Sequence, residues 1–430
     1  MIRIPYGTQM TPKLLADLIA KHKALVSTTY KEFYDAYCND YDIFDMVKYP
    51  KKPAWKPDNR ISANFARYIV DTSAGFFVGI PVTVHAEDPA ADEYIQEVND
   101  RSYIDDVNLE LAKMTSIYGT ANEMYYLDEK AQIRIAAISP LESFMVYDDS
   151  IVSRPMFFIR YYKNSKNVEE GSFSDSEIVQ YFKYDAGYRY TDAPITHGFD
   201  GVPAVEYVEN TERMGLLQNV LPLINAYNKA LSEKANDVDY FSDAYLKVIG
   251  AKVERDDLKF IRDNRLISFE GAEHPDVGFL ERPSADGTQE NLFNRLEQLI
   301  YKTSMVADVS DLNFGTASGI AIKYKLWAMS SEAKTKQNKF IASMNERYRL
   351  IFSHPVSMIP EEDAQHITYV FTQNYPANLS EEAEIAKDLQ GIVSEETQLS
   401  IISVVDDVQK EIERKAGDAE LDMLGFGTQE

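Results

Sequence analysis

The imidazole and thiol groups of this chain are spaced so that they cannot easily work together. His22, His85, His197, His274, His354 and His366 are scattered along the sequence. None pair four residues apart on a helix, and no second cysteine accompanies Cys38, so a zinc site is not expected. Cys38 is flanked by Tyr37, Asn39 and Asp40, which supply no cation to stabilise a thiolate. It reads as an inert, partly buried thiol. Gly315 and Gly319 are too close together for a phosphate-binding loop, and no Lys-Ser/Thr follows the second. Asp308, Asp311 and Asn313 resemble the start of a calcium loop, but its glycine and closing glutamate are missing. Asp148-Asp149 and Glu361-Glu362-Asp363 are metal-binding types whose commoner role is as solvated turn acids. No set forms a catalytic constellation, so neither enzyme activity nor a cofactor is expected.

The chemistry that does stand out is electrostatic. Residues 315–326, GTASGIAIKYKL, form a small-residue loop running into a long basic segment. Between 318 and 353 the cations Lys323, Lys325, Lys334, Lys336, Lys339, Arg347 and Arg349 face only Glu332 and Glu346. The whole chain carries a net charge of −25, which opposes tight binding to nucleic acid. Two readings follow: the cations touch a polyanion weakly, or they pair with the acids of a neighbouring subunit. Tyr324, Trp327, Phe340, Tyr348 and Phe352 read as packing residues rather than base-stacking platforms.

The elements that must position this segment are readable from periodicity. At 430 residues with 45% apolar content, the chain is long enough for two or three domains with real cores. A single cysteine fits a reducing compartment. No N-terminal stretch has the zones of a signal peptide, and no run is apolar enough to span a bilayer, so a soluble, intracellular protein is expected. Apolar spacing near 3.6 predicts helices over 13–26, 59–77 and 103–118. Period-two segments at 123–127, 133–138, 144–147, 157–162, 177–183 and 188–190 predict short strands. Residues 51–57 read as a proline-rich ordered loop. A long helix over 214–241, with Pro222 early in it, precedes a β-α-β-β insertion over 244–281, with its helix at 256–263 and strands at 244–250, 265–270 and 277–281. Helices at 291–306 and 318–352 follow, then a strand at 365–371 and an acidic helical stretch over 380–424. The fold class is α+β.

Five segments carry a resemblance. They are 59–81 (NRISANFARYIVDTSAGFFVGIP), 117–126 (IYGTANEMYY), 138–148 (ISPLESFMVYD), 201–210 (GVPAVEYVEN) and 318–326 (SGIAIKYKL), the last being the most specific. The chain resembles the portal proteins of tailed double-stranded-DNA bacteriophages, in the branch typical of siphoviruses of Gram-positive hosts.

The resemblance implies a portal-type fold with an α+β wing (1–213, with 354–378 returning to it) and stem helices at 214–243 and 287–307. A small α/β clip at 244–286 would separate the stem helices, with a tunnel loop and tunnel helix at 308–353 and a helical C-terminal crown at 379–430. It implies a ring of about twelve subunits at one capsid vertex, through which double-stranded DNA is packaged and ejected. Asp308, Asp311, Asn313, Gly315, Thr316, Ser318 and Gly319 would form the tunnel loop, and Lys323, Lys325, Lys334, Lys336 and Lys339 would mark the tunnel helix. Lys252, Arg255, Asp256, Lys259, Arg262 and Glu273 would lie on the clip, which docks the terminase large subunit and later the head-tail connector. Major capsid and scaffolding proteins are further implied partners, and no membrane is. The expected location is the virion, after synthesis in the bacterial host cytoplasm. The alternatives are a non-portal structural adaptor of a phage head and a nucleic-acid enzyme with an unrecognised site.

Overall fold

The computed structural model describes residues 1–53, 56–242, 246–249, 276–279, 286–309, 319–374, 379–402, 404–405 and 407–423. Two compact units emerge. The first comprises Met1–Cys38, Ala66–Val220 and Tyr301–Glu430; the second comprises Asn39–Phe65 and Leu221–Ile300.

The first unit is built on a seven-stranded sheet. Its strands are β1 (Ile2–Ile4), β5 (Ser143–Asp148), β6 (Pro155–Lys163), β7 (Glu169–Ser174), β8 (Ile178–Tyr184), β9 (Tyr188–Tyr190) and β10 (Ile195–Thr196). The order is β1-β5-β6-β7-β8-β10, with β9 also on β8; β1 pairs in parallel with β5 and the other pairs are antiparallel. Alternation sorts the side chains. Phe144, Val146, Phe157 and Ile159 face helix α1 (Pro12–Leu25) through its Leu15, Leu18 and Ile19. The intervening Met145, Tyr147 and Phe158 pack on the other side with Val202 and Ala204. Both faces are therefore apolar, and β5 is buried along its whole length. Gly171 in β7 is obligatory, since a Cβ there would stand 2.0 Å from the Arg160 carbonyl oxygen of β6.

A second sheet orders β11 (Ala204–Val208), β3 (Thr120–Leu127) and β4 (Ile133–Ile138). Helices α4 (Pro89–Ser102) and α5 (Ile104–Tyr118) run into it, with α2 (Lys31–Tyr37) and α3 (Phe65–Val78) before them. Asp88 caps α4 by accepting from the Ala90 and Ala91 amides. Gly119 closes α5 at φ +81, where any Cβ would meet the Arg213 carbonyl at 2.1 Å. β2 (Thr83–Ala86) pairs antiparallel with β14 (Ile367–Val370), so the late strand expected near 365–371 returns to the N-terminal unit.

The second unit holds α6 (Leu217–Ser242) from Leu221 onward, the antiparallel pair β12 (Leu246–Ile249) and β13 (Asp276–Phe279), and α7 (Asp286–Ser304) up to Ile300. Here one expectation fails. Residues 59–64 are not helical; the helix begins only at Phe65. Their backbone is spoken for by side chains of α6. The Ala63, Ile61 and Asn59 amides donate to Asn228 Oδ1 (2.8 Å), Ser232 Oγ (2.9 Å) and Asn236 Oδ1 (2.6 Å). Every second residue of the segment meets every fourth residue of the helix. The repeats match, because two extended residues rise about 6.6 Å and four helical residues about 6 Å.

The long basic helix is also not continuous. It divides into α8 (Gly319–Lys325) and α9 (Trp327–Ser353), interrupted at Leu326. Among the described residues the acidic helical stretch consists of α10 (Leu379–Asp388), α11 (Glu395–Leu399) and α12 (Val408–Met423), with Gly391 at φ +79 between the first two. The insertion helix and strand expected at 256–263 and 265–270 lie outside the described residues.

Candidate functional site

The cations of the basic segment divide into two groups with different jobs. Lys336 and Arg347 are fully buried within their own chain. Lys336 Nζ lies 2.7 Å from Glu209 Oε2, and it donates to the Ala112 carbonyl (2.9 Å) and Ser116 Oγ (2.8 Å) of α5. The two oxygens of α5 take hydrogen bonds while Glu209 matches the charge, and the Phe77 and Phe340 rings flank the ammonium at 5.4 and 5.8 Å. This corrects the expectation that Lys336 faces a tunnel or a neighbour. The sequence feature responsible is its position on the apolar stripe of α9 with Met329, Ala333 and Phe340.

Arg347 grips Glu123 of β3 with two nitrogens, Nη2 to Oε1 at 2.8 Å and Nε to Oε2 at 3.1 Å. The Tyr125 and Tyr207 hydroxyls also donate to Glu123, and Asn108 accepts from Arg347. Burial pulls the guanidinium pKa down, but Glu123 outweighs it and the charged form is held far above the ordinary range. Burial, reinforced by Glu123, pushes the Tyr125 phenol well up. A third pair, Arg213 with Glu206 at 2.6 Å, ties the loop after β11 back to that strand. Thr120 and Tyr147 hydroxyls also donate to Glu206. Burial alone would raise the Glu206 carboxyl, yet the contacts with Arg213 lead to a net lowering.

Arg349 is half-buried and pairs with Glu346 (2.7 Å) and Glu361 (2.8 Å), and the remaining lysines lie nearer the surface. Lys323, Lys325 and Lys334 are exposed and Lys339 is half-buried. Between them Tyr324 and Trp327 are 75% and 69% exposed, against the expectation of packing, whereas Phe340, Tyr348 and Phe352 are in the core. The break at Leu326, itself buried, turns these two aromatic residues out. Upstream, Asp308 is half-buried, and the chain beside it is fixed to α3. The Tyr68 hydroxyl donates to the Ala307 carbonyl (3.2 Å) and accepts from the Val309 amide (2.9 Å).

A comparison with protein families matches residues 16–421 to the phage portal proteins described as SPP1 Gp6-like. The chain belongs to this family. Among individual portal proteins, that of Clostridium phage phiCD119 is 23% identical over 387 residues, covering 84% of this chain and 85% of the relative. The portal protein of Bacillus phage SPP1 is 23% identical over 391 residues, covering 84% and 76%.

Within this portal protein, Asp311, Asn313, Gly315, Thr316 and Ser318 fall outside the described residues, and Gly319 opens α8. Lys252, Arg255, Asp256, Lys259, Arg262 and Glu273 also fall outside them. Asp148 is occupied in a turn, accepting from the Ser150 hydroxyl (2.7 Å) and the Arg154 amide (2.8 Å); its pKa is lowered, led by the Ser150 contact. Glu361 pairs with Arg349 at 2.8 Å. Cys38 is exposed at the end of α2 rather than partly buried. Among the described residues no group of three or more His, Cys, Asp or Glu could hold a metal, and no helix is long and apolar enough to cross a membrane.

The residues missed by sequence reasoning are Glu123, Glu206 and Glu209. Each is an isolated acid in or beside an otherwise apolar strand, and a lone carboxylate there requires a buried cation somewhere. That signal was present, although the sequence alone does not say which cation answers it.

Proposed function

We propose that this portal protein closes into a hollow ring of about twelve copies and conducts double-stranded DNA through the bore during packaging and ejection. The observation that carries the reading is the family match over residues 16–421. The partition of the basic segment supports its mechanism. Lys336 and Arg347 are neutralised internally, so few cations remain to face a polyanion. DNA carries one charge per about 1.7 Å of axis, and a strongly basic bore would hold it by counterion release. A net charge of −25 with Lys323, Lys325 and Lys334 as scattered outward cations suits transient contact.

In this reading the wing is 1–213 with 354–378, the stem 214–243 and 287–307, the clip 244–286, the tunnel segment 308–353 and the crown 379–430. Residues Asn39–Phe65 are the exception within 1–213: they cluster with Leu221–Ile300, and we place them with the stem rather than the wing. The clip residues Lys252, Arg255, Asp256, Lys259, Arg262 and Glu273 would meet the terminase large subunit and the head-tail connector. Major capsid and scaffolding proteins would surround the wing in the virion. The role is structural, with nucleotide turnover left to the motor.

Negative-stain imaging of the purified protein tests the proposal: rings with a central hole are expected, and solid centreless particles under every assembly condition would refute it. Replacing Lys323, Lys325 and Lys334 together by Gln should leave the ring intact and alter DNA retention.

A further inference from the structure

Two of the histidines scattered along the sequence are brought together by the fold. His197 follows β10 and begins the link to β11, and His354 caps the C-terminus of α9. They stand 157 residues apart in the chain, yet His354 Nε2 lies 3.1 Å from the His197 carbonyl oxygen. His197 Nε2 in turn lies 3.1 Å from the Asp175 carbonyl oxygen. Gly198 makes room for the His354 ring, since a Cβ there would stand 2.8 Å from Nε2. The Phe199 ring tilts against the His354 ring at 4.8 Å, and His354 is buried.

The other two ring nitrogens fix the protonation state. The Phe199 amide donates to His197 Nδ1 at 3.1 Å, and the Val356 amide donates to His354 Nδ1 at 3.1 Å. A ring nitrogen that accepts a hydrogen bond carries no proton, so each ring holds its proton on Nε2, facing a carbonyl. Both rings are thus neutral, with every nitrogen engaged. A second proton would have to enter at Nδ1 and would set one N–H against another. The ring would then turn away and lose its carbonyl contact too.

We propose that His197 and His354 form an acid-released clasp that fastens the link between β10 and β11 to the end of α9. Two further contacts serve the same joint: the Asp200 amide donates to Ser353 Oγ (3.0 Å), and Arg349 donates to the Asp200 carbonyl (3.1 Å). Neither a serine hydroxyl nor a guanidinium titrates near neutrality, so the clasp is the part of the joint that protons undo. The charged groups around the pair come from three places. Asp175 and Glu177, in the turn before β8, favour a protonated His197. The link itself carries the exposed Asp200, and α9 brings Arg349, which is held by Glu346 and Glu361. A charge on His197 would oppose one on His354. Burial is the largest influence on both rings and leaves each below the ordinary histidine value.

The sign follows from linkage. When the clasp opens, both rings reach water and return to the ordinary value of 6.5. Below that pH the open state binds more protons than the closed one, so opening becomes easier as pH falls. Above it both states are neutral and opening no longer depends on pH. The clasp is firm at neutral and alkaline pH and loosens in mild acid.

Native-state hydrogen exchange on the full-length assembled protein tests this. After correction for intrinsic exchange rates, the opening constants of peptides 197–202 and 353–358 should rise as pH falls below about 6.5. The expected slope is up to about tenfold per pH unit for each histidine released. Strand β3, which carries no histidine, should show no comparable rise and serves as the control in wild type alone. Gln retains an N–H donor but takes up no proton, so the double variant His197→Gln/His354→Gln should lose the slope. Nitrogen-15 spectra of histidine-labelled protein, with each ring identified by its loss in a single variant, should show the proton on Nε2 at neutral pH. A purely structural role would not produce the pH slope. A flat wild-type profile, a rise shared equally by β3, an unchanged slope in the double variant, or a proton on Nδ1 would each overturn the proposal.

Discussion

At the scale of single residues, charge in this protein is used mainly to bind its own elements together. Glu123 and Arg347 are both 0% exposed and meet through two contacts. Such a pair is not a large net source of stability, because desolvating two ions offsets most of their attraction. Removing one partner is a different matter, since the other charge stays buried alone. Arg347→Met is therefore expected to cost about 3–5 kcal/mol in chemical denaturation. Lys334→Ala, on the exposed side of the same helix, should stay within about 0.5 kcal/mol of wild type. Equal effects at the two positions would show that burial does not sort these cations. This contrast was the hardest thing to read in advance. Lys334 and Lys336 are two residues apart in a stretch of lysines, and composition treats them alike. Only the phase of the apolar stripe through Met329, Ala333, Phe340 and Met344 separates them.

At the scale of elements, legibility followed local pattern. α1 and α5 have strong apolar periodicity and clear stops, and β3 to β6 alternate aromatic and branched residues, so all were expected within a few residues of their positions. β7 was missed because EEGSFS has little strand propensity and is held by its neighbours on both sides. α4 was missed because its sequence is largely polar, and its buried apolar residues are only Ala91, Ile95 and Val98. β1 and β11 are short and depend on distant partners, β5 and β3. The misreading of 59–64 is more instructive. Its apolar spacing continues that of α3, yet the ladder Asn228, Ser232 and Asn236 on α6 claims its amides. Hydrogen bonds about 170 residues apart in sequence override local periodicity. The same ladder gives a prediction. Asn228→Leu removes the acceptor of the Ala63 amide and strands a donor, at a cost of about 1–3 kcal/mol. Unfolding monitored by denaturant should show that loss. A neutral outcome would mean that water reaches the amide.

At the scale of the whole molecule, the surplus of acids must be managed wherever copies meet. The chain has 69 acidic and 44 basic residues, and a ring brings many such chains side by side. Two forces compete at the contacts. Pairing of outward cations such as Lys323 and Lys334 with a neighbour's acids would weaken as salt rises. Repulsion between like-charged bodies would also weaken, which favours assembly. The Debye length falls from about 30 Å at 0.01 M salt to about 10 Å at 0.1 M, so distant repulsion is screened first while close pairs persist. Exposed Tyr324 and Trp327, at 75% and 69%, add an apolar contribution to association that salt does not screen. Raising salt from about 0.01 to about 0.3 M is therefore expected to move the protein from free subunits toward rings, as read by sedimentation velocity. Rings that dissociate over the same range would assign the contacts to ion pairs. Neutralising Lys323, Lys325 and Lys334 would then abolish assembly instead of leaving it intact.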